Sequence, residues 1–137
     1  MTTRNTQVFV APEGAAVAIA PSPWFADGWV RMPYEHWALI LEFARSVDEI
    51  GADNVEQLSN AGVDQVPNQP AAKLRSAESF LRRLAIMLPS AAPLAAAPTE
   101  RVPEEYPNEE HARMCEAVAA VMAAAAEAGE PIRSWVD

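Results

Sequence analysis

Residues 24–50, WFADGWVRMPYEHWALILEFARSVDEI, decide how the chain is read. They hold Trp24, Trp29 and Trp37, three of the four tryptophans, and the most apolar helix-compatible segment. Pro33 suits the first turn of a helix, where a missing N–H costs nothing. The helix predicted from it runs over 33–50 and stops at Gly51, a residue that accepts the left-handed C-terminal cap. At about 100° per residue, Trp37, Leu39, Ile40, Leu41, Phe43, Ala44, Val47 and Ile50 fill one broad arc. An arc that wide needs two or more neighbours, so the helix is expected at the centre of the core. His36 and Asp48 intrude on the arc, both in terminal turns from which a side chain can reach water.

Upstream, Gln7–Ala11 (QVFVA) and Ala15–Ala20 (AAVAIA) are β-compatible runs on either side of Pro12-Glu13-Gly14. That pattern predicts a β-hairpin. A lone hairpin is unstable in water, so it is expected to lie on the helices. Ala15–Ala20 ends in an Ala-x-Ala pattern, but Pro12, Glu13 and Gly14 cut the apolar run short and Pro21 follows it. It is therefore not read as a signal peptide. Pro21-Ser22-Pro23 breaks the second run, and Trp24, Phe25 and Trp29 are expected in an irregular segment with rings turned inward.

Downstream, 52–61 predicts a short helix with Asp53 or Asn54 as N-cap and Gly62 as its stop. Pro70 opens a helix over 70–88, with Leu74, Ala77, Leu81, Leu84 and Leu88 at helical spacing and Arg75, Arg82 and Arg83 on the polar side. Prolines 93, 98, 103 and 107 make the stretch SAAPLAAAPTERVPEEYP an extended connector, with Leu94, Val102 and Tyr106 as candidate anchors. Asn108 is a good N-cap for a last helix over 108–128 that ends at Gly129. Met114, Ala117, Val118, Val121 and Ala125 form its apolar stripe, and Trp135 suggests that the tail docks.

The expected fold class is α+β and α-dominant, with an N-terminal β-hairpin packed on a bundle of about three long helices and one short helix. A single domain, 1–137, is expected: 1–32 hairpin and Trp-rich lead-in, 33–88 helical core, 89–107 Pro/Ala-rich connector, and 108–137 C-terminal helix and tail.

The 137 residues carry a formal charge of −9, which repels a phosphate backbone or an anionic membrane and is compatible with a basic protein partner. The charge is unevenly placed. Residues 70–99 hold four bases and one acid, whereas 33–69 hold seven acids and one base. One cysteine, Cys115, excludes an intrachain disulfide and suits a reducing cytoplasm. No stretch approaches the length needed to span a bilayer.

The candidate chemistry is sparse. His111 and Cys115 share a helix face, but with Glu110 or Glu116 they make at most a partial ligand set for zinc. A catalytic Cys115 would need an aligned base and orienter, which one-turn spacing rarely supplies. Glu104-Glu105 and Glu109-Glu110 are paired carboxylates in or beside the connector, placed for solvent or a basic partner rather than a cleft. No Gly-rich phosphate loop, G-x-S-x-G or H-E-x-x-H occurs. No catalytic residue, metal or cofactor is expected. The reading is a non-enzymatic, acidic protein-binding module of inhibitor, immunity or adaptor type, engaging a basic partner through Trp24, Trp29, Glu104, Glu105, Glu109 and Glu110. The alternative is a homo-oligomeric structural or assembly protein joined through the Leu74/Leu81/Leu88 stripe or the Ala-rich face of 117–125. A remote alternative is a metal- or Cys-dependent enzyme using His111 and Cys115.

Overall fold

The computed structural model describes residues 7–12, 25–26, 29–59, 71–92, 94, 108–129 and 132–136. Its core is helical. Four helices supply it: α1 (Tyr34–Val47), α2 (Glu49–Ser59), α3 (Ala71–Met87) and α4 (Asn108–Ala128), with a 3-10 turn at Leu88–Ser90 after α3. Of the buried apolar residues among those described, all but Val30 and Ile132 lie on these helices or that turn.

Among the described elements, α3 and α4 make the largest contact. Leu74, Ala77, Leu81, Leu84 and Leu88 of the α3 stripe and turn are buried, and so are Met114, Val118, Ala119, Val121, Met122 and Ala125 of α4. Small residues on α4 admit the branched leucines closely, and a fully buried leucine contributes about 2 kcal/mol. Leu74, Leu81 and Leu88 of the α3 stripe are thus buried, as are Ala119 and Ala125 of α4, whereas Ala120 and Ala124 are exposed. Arg82 ties the pair at its rim, with a guanidinium nitrogen 2.9 Å from Glu116 of α4. Arg75 and Arg82 both meet Glu78 at 3.1 Å.

The expectation of an N-terminal hairpin packed on a bundle is overturned. Strand β1 (Gln7–Pro12) pairs with β3 (Trp29–Pro33) along one side and with β4 (Ile132–Val136) along the other, both antiparallel. Val8, Phe9 and Val10 have partners on both sides, from β3 and from β4. Both partners come from far along the chain. Reading the nearest β-compatible run as the partner ignored them. Residues 15–20 lie outside the described residues. A short strand, β2 (Phe25–Ala26), pairs with β3, so Phe25 and Trp29 belong to paired backbone rather than to an irregular lead-in.

Helix 33–50 is also corrected. It stops at Val47, and Asp48 starts a new helix by accepting hydrogen bonds from the N–H groups of Ile50 (3.0 Å) and Gly51 (3.2 Å). Asp48 is therefore the N-cap of α2, a role expected of Asp53 or Asn54. Gly51 lies inside α2 rather than at a helix end. Only hydrogen occupies its Cβ position, 3.1 Å from the Phe80 ring carbons, so the missing side chain lets α2 and α3 approach. Among the described residues the left-handed backbone falls at Gly129, with φ 71°, just past α4. Pro89 sits at the start of the 3-10 turn, where its lack of an N–H is harmless.

Replacing Asp48 with Ala removes the cap and leaves two helix-start donors to water. The expected loss is about 1 kcal/mol of stability, read as a lower denaturation midpoint at unchanged m-value. Asp48→Asn is expected to recover most of that loss.

Candidate functional site

The protein contains two histidines, and the structure brings them together. His36 projects from the first turn of α1 and His111 from the first turn of α4. Their exposures are 3% and 0%. His36 Nδ1 lies 3.2 Å from His111 Nε2, with ring centroids 5.3 Å apart and planes tilted by 37°. His111 Nδ1 is in turn 3.1 Å from Oδ1 of Asn108, one turn back on α4.

Asn108 sets the direction of this chain. Its Nδ2 group donates to the carbonyls of Ala91 (3.2 Å) and Ala92 (3.0 Å), and its Oδ1 accepts from the Leu94 N–H at 3.4 Å. Oδ1 is thereby fixed as the acceptor, so His111 Nδ1 must carry the proton. A neutral His111 then presents a lone pair at Nε2, and His36 Nδ1–H donates to it. The side-chain hydrogens point from His36 through His111 to Asn108 and on to the Ala91 and Ala92 carbonyls, and the Leu94 N–H meets them at Asn108 Oδ1. Asn108, expected as a helix cap, instead tethers that segment, and Leu94 packs against the core beside it.

Burial pushes the His111 pKa down to about 4, and the neighbouring His36 adds to the effect. One turn along α4, Cys115 is fully buried, and burial, with Glu116 adjacent, pushes its thiol up to about 12. The thiol is held in its protonated form at neutral pH, away from the reactive thiolate. The indole Nε1 of Trp37 is buried without a hydrogen-bond partner among the described residues.

The positions singled out in the sequence are only partly within the described residues. Trp24, Glu104 and Glu105 lie outside the described residues. Trp29 opens β3 opposite Ala26. Glu109 and Glu110 stand in the first turn of α4, the former exposed and the latter half-buried. No group of three or more His, Cys, Asp or Glu side chains among the described residues could hold a metal. No described helix is long and apolar enough to cross a membrane.

A second feature lies on the outside. An open groove of about 740 Å³ runs between α2 and α3. Asp48 and Asp53 stand on the α2 side, Lys73 and Arg83 on the α3 side, and Phe80 lies at its floor. The Arg83 guanidinium carbon sits 5.6 Å from the Phe80 ring centroid. Ile50 belongs to this groove yet is 81% exposed, and Ile86, one turn beyond Arg82 and Arg83 on α3, is 76% exposed. Periodicity missed this face because Ile50 was assigned to the buried arc of a longer α1. The displaced position of Asp48 on that arc was the available signal.

Comparison with protein-family models, curated proteins and solved structures finds no match.

Two outcomes follow from the buried groups. The folded His111 pKa lies below the ordinary value near 6.5, so the unfolded chain binds a proton that the native state refuses as pH falls from about 6.5 to 4. Stability is therefore full above that window and declines within it, by about 1.4 kcal/mol per pH unit. Between pH 6.5 and 5 the expected loss is roughly 2 kcal/mol, and His111→Gln removes that part of the slope. NMR titration provides the direct check, with the His111 ring signals unshifted down to pH 5. The second outcome concerns Cys115. It is expected to resist a thiol reagent such as Ellman's in the native protein and to react stoichiometrically in denaturant.

Proposed function

We propose that this chain is a non-enzymatic protein-binding module, of inhibitor, immunity or adaptor type, and that its contact surface is the α2–α3 face. The observation that carries this reading is the exposure of Ile50 and Ile86 beside a groove with charged walls. Ile50 in the groove and Ile86, one helical turn beyond Arg83 on α3, forgo burial worth about 2 kcal/mol each, and exposed apolar side chains grouped on one face mark contact surfaces. The side chains best suited to chemistry support the same reading. His36, His111 and Cys115 are buried in the core, and the hydrogen bonds of the two histidines run to one another and to Asn108.

The acid surplus of the chain supports a basic protein as a heterologous partner, which Glu109 is placed to meet. Recognition through the groove itself rests on shape and on the apolar pair, because its walls carry two acids and two bases.

The test is affinity capture from the native cell extract, with an untagged copy of the chain co-expressed. Tagged wild-type protein and an Ile50→Glu/Ile86→Glu variant serve as baits. The wild type is expected to retain a stoichiometric protein, or the untagged copy, that the variant loses. Equal retention by both baits, or none by either, refutes the reading.

A further inference from the structure

We infer that the occupant of the α2–α3 face is a second copy of this chain, related by a two-fold axis running along the groove. The inference rests on the protein-binding reading and specifies its partner. It follows from how charge is placed on the two walls.

The walls run in opposite directions. The Gly51 end of α2 abuts Phe80, whereas Lys73, seven residues earlier on α3, reaches the other end of α2. There its Nζ donates to Gln57 Oε1 at 3.0 Å, and Asn54 Nδ2 donates to the Lys73 carbonyl at 3.4 Å. Asp48 and Ile50 therefore stand at the same end of the groove as Arg83 and Ile86, and Asp53 lies between that end and Lys73. Asp48, Lys73 and Arg83 have no ion-pair partner among the described residues. Asp53 shares its charge with Arg45 at 2.7 Å.

An isologous interface can place its axis in two ways on such a face. An axis across the groove sets α2 on α2 and α3 on α3, so acid meets acid and base meets base. An axis along the groove sets each α2 on the other copy's α3 at the same height. Asp48 of one copy then meets Arg83 of the other, and Ile50 meets Ile86, twice over. Only the second arrangement pairs opposite charges and covers both aliphatic side chains.

Charge also argues against a basic partner at this place. The chain as a whole is at −9, but the four groove-wall charges cancel. A cationic protein is drawn to the acidic remainder, whereas a second acidic copy is repelled least where the surface is neutral. At physiological ionic strength the screening length is about 8 Å, so repulsion between the distant acids fades while pairs across the contact persist.

Sedimentation equilibrium in 0.15 M salt tests the inference on the whole chain. Wild-type protein is expected to show a concentration-dependent shift from a 14.8 kDa monomer to a dimer of twice that mass. Lys73→Glu/Arg83→Glu makes both walls acidic and is expected to weaken the dimer about tenfold or more. Asp48→Lys/Asp53→Lys makes both walls basic, with the same result. Circular dichroism confirms that each variant is folded. An equimolar mixture of the two is expected to form a heterodimer, which a mere folding defect could not produce. A wild-type monomer at every concentration overturns the inference, as does a dimer insensitive to both variants. If that monomer still captures a different protein in an Ile50-dependent way, the binding-module reading stands and only the second copy is refuted.

Discussion

The packing of the α3 leucine stripe against α4 is the contact on which the other features depend. It is the largest contact between described elements, and both faces are dry. Alanines at 119 and 125 and valines at 118 and 121 keep the α4 side low, so the leucines fill the gap without strain. Once α4 is seated, its first turn faces the first turn of α1, and His111 is carried to His36. The same seating leaves the far side of α3, with Lys73, Arg83 and Ile86, turned away from the core.

A line of polar groups through such an interior is stable only if each member is paired and neutral. In the line from His36 through His111 to Asn108 each member has a hydrogen-bond partner. Asn108 ends it on backbone carbonyls, and low polarity keeps His111 uncharged. The cost of burying two imidazoles is offset by hydrogen bonds that hold the 91–94 segment against α4. The histidines and the cysteine are thus enclosed, and the groove outside carries balanced charges in a chain that is otherwise strongly acidic.

The helices were legible because their burial is one-sided. The leucine stripe over 70–88 and the apolar stripe of 108–128 follow a helical period and have the proline or glycine punctuation that ends a helix. The reading failed where a local signal met a non-local competitor. The 7–11 run is β-compatible in any context, but its partners are β3 and β4, and neither is its neighbour in sequence. Asp48 fitted a helical wheel as an intruder, yet a short carboxylate that can cap N–H groups ends one helix and begins another. That break moved Ile50 from the presumed core to the surface. His36 fell on the apolar arc, and the wheel showed it there. A helix end offers an escape to water, and only the approach of His111 closed it.

What the sequence alone determined is the number of helices, the buried stripes of the two long helices over 70–88 and 108–128, the acidic balance and the absence of any recognised catalytic motif, since each depends on residue type and spacing along the chain. What only the tertiary structure decided is which segments meet. The pairing of β1, the joining of two histidines 75 residues apart and the opposed charges of the groove all need the third dimension. A periodic pattern states that a face will be buried, but many faces satisfy the same pattern. The choice among them is made by the shape and charge of surfaces that exist only after the helices have packed.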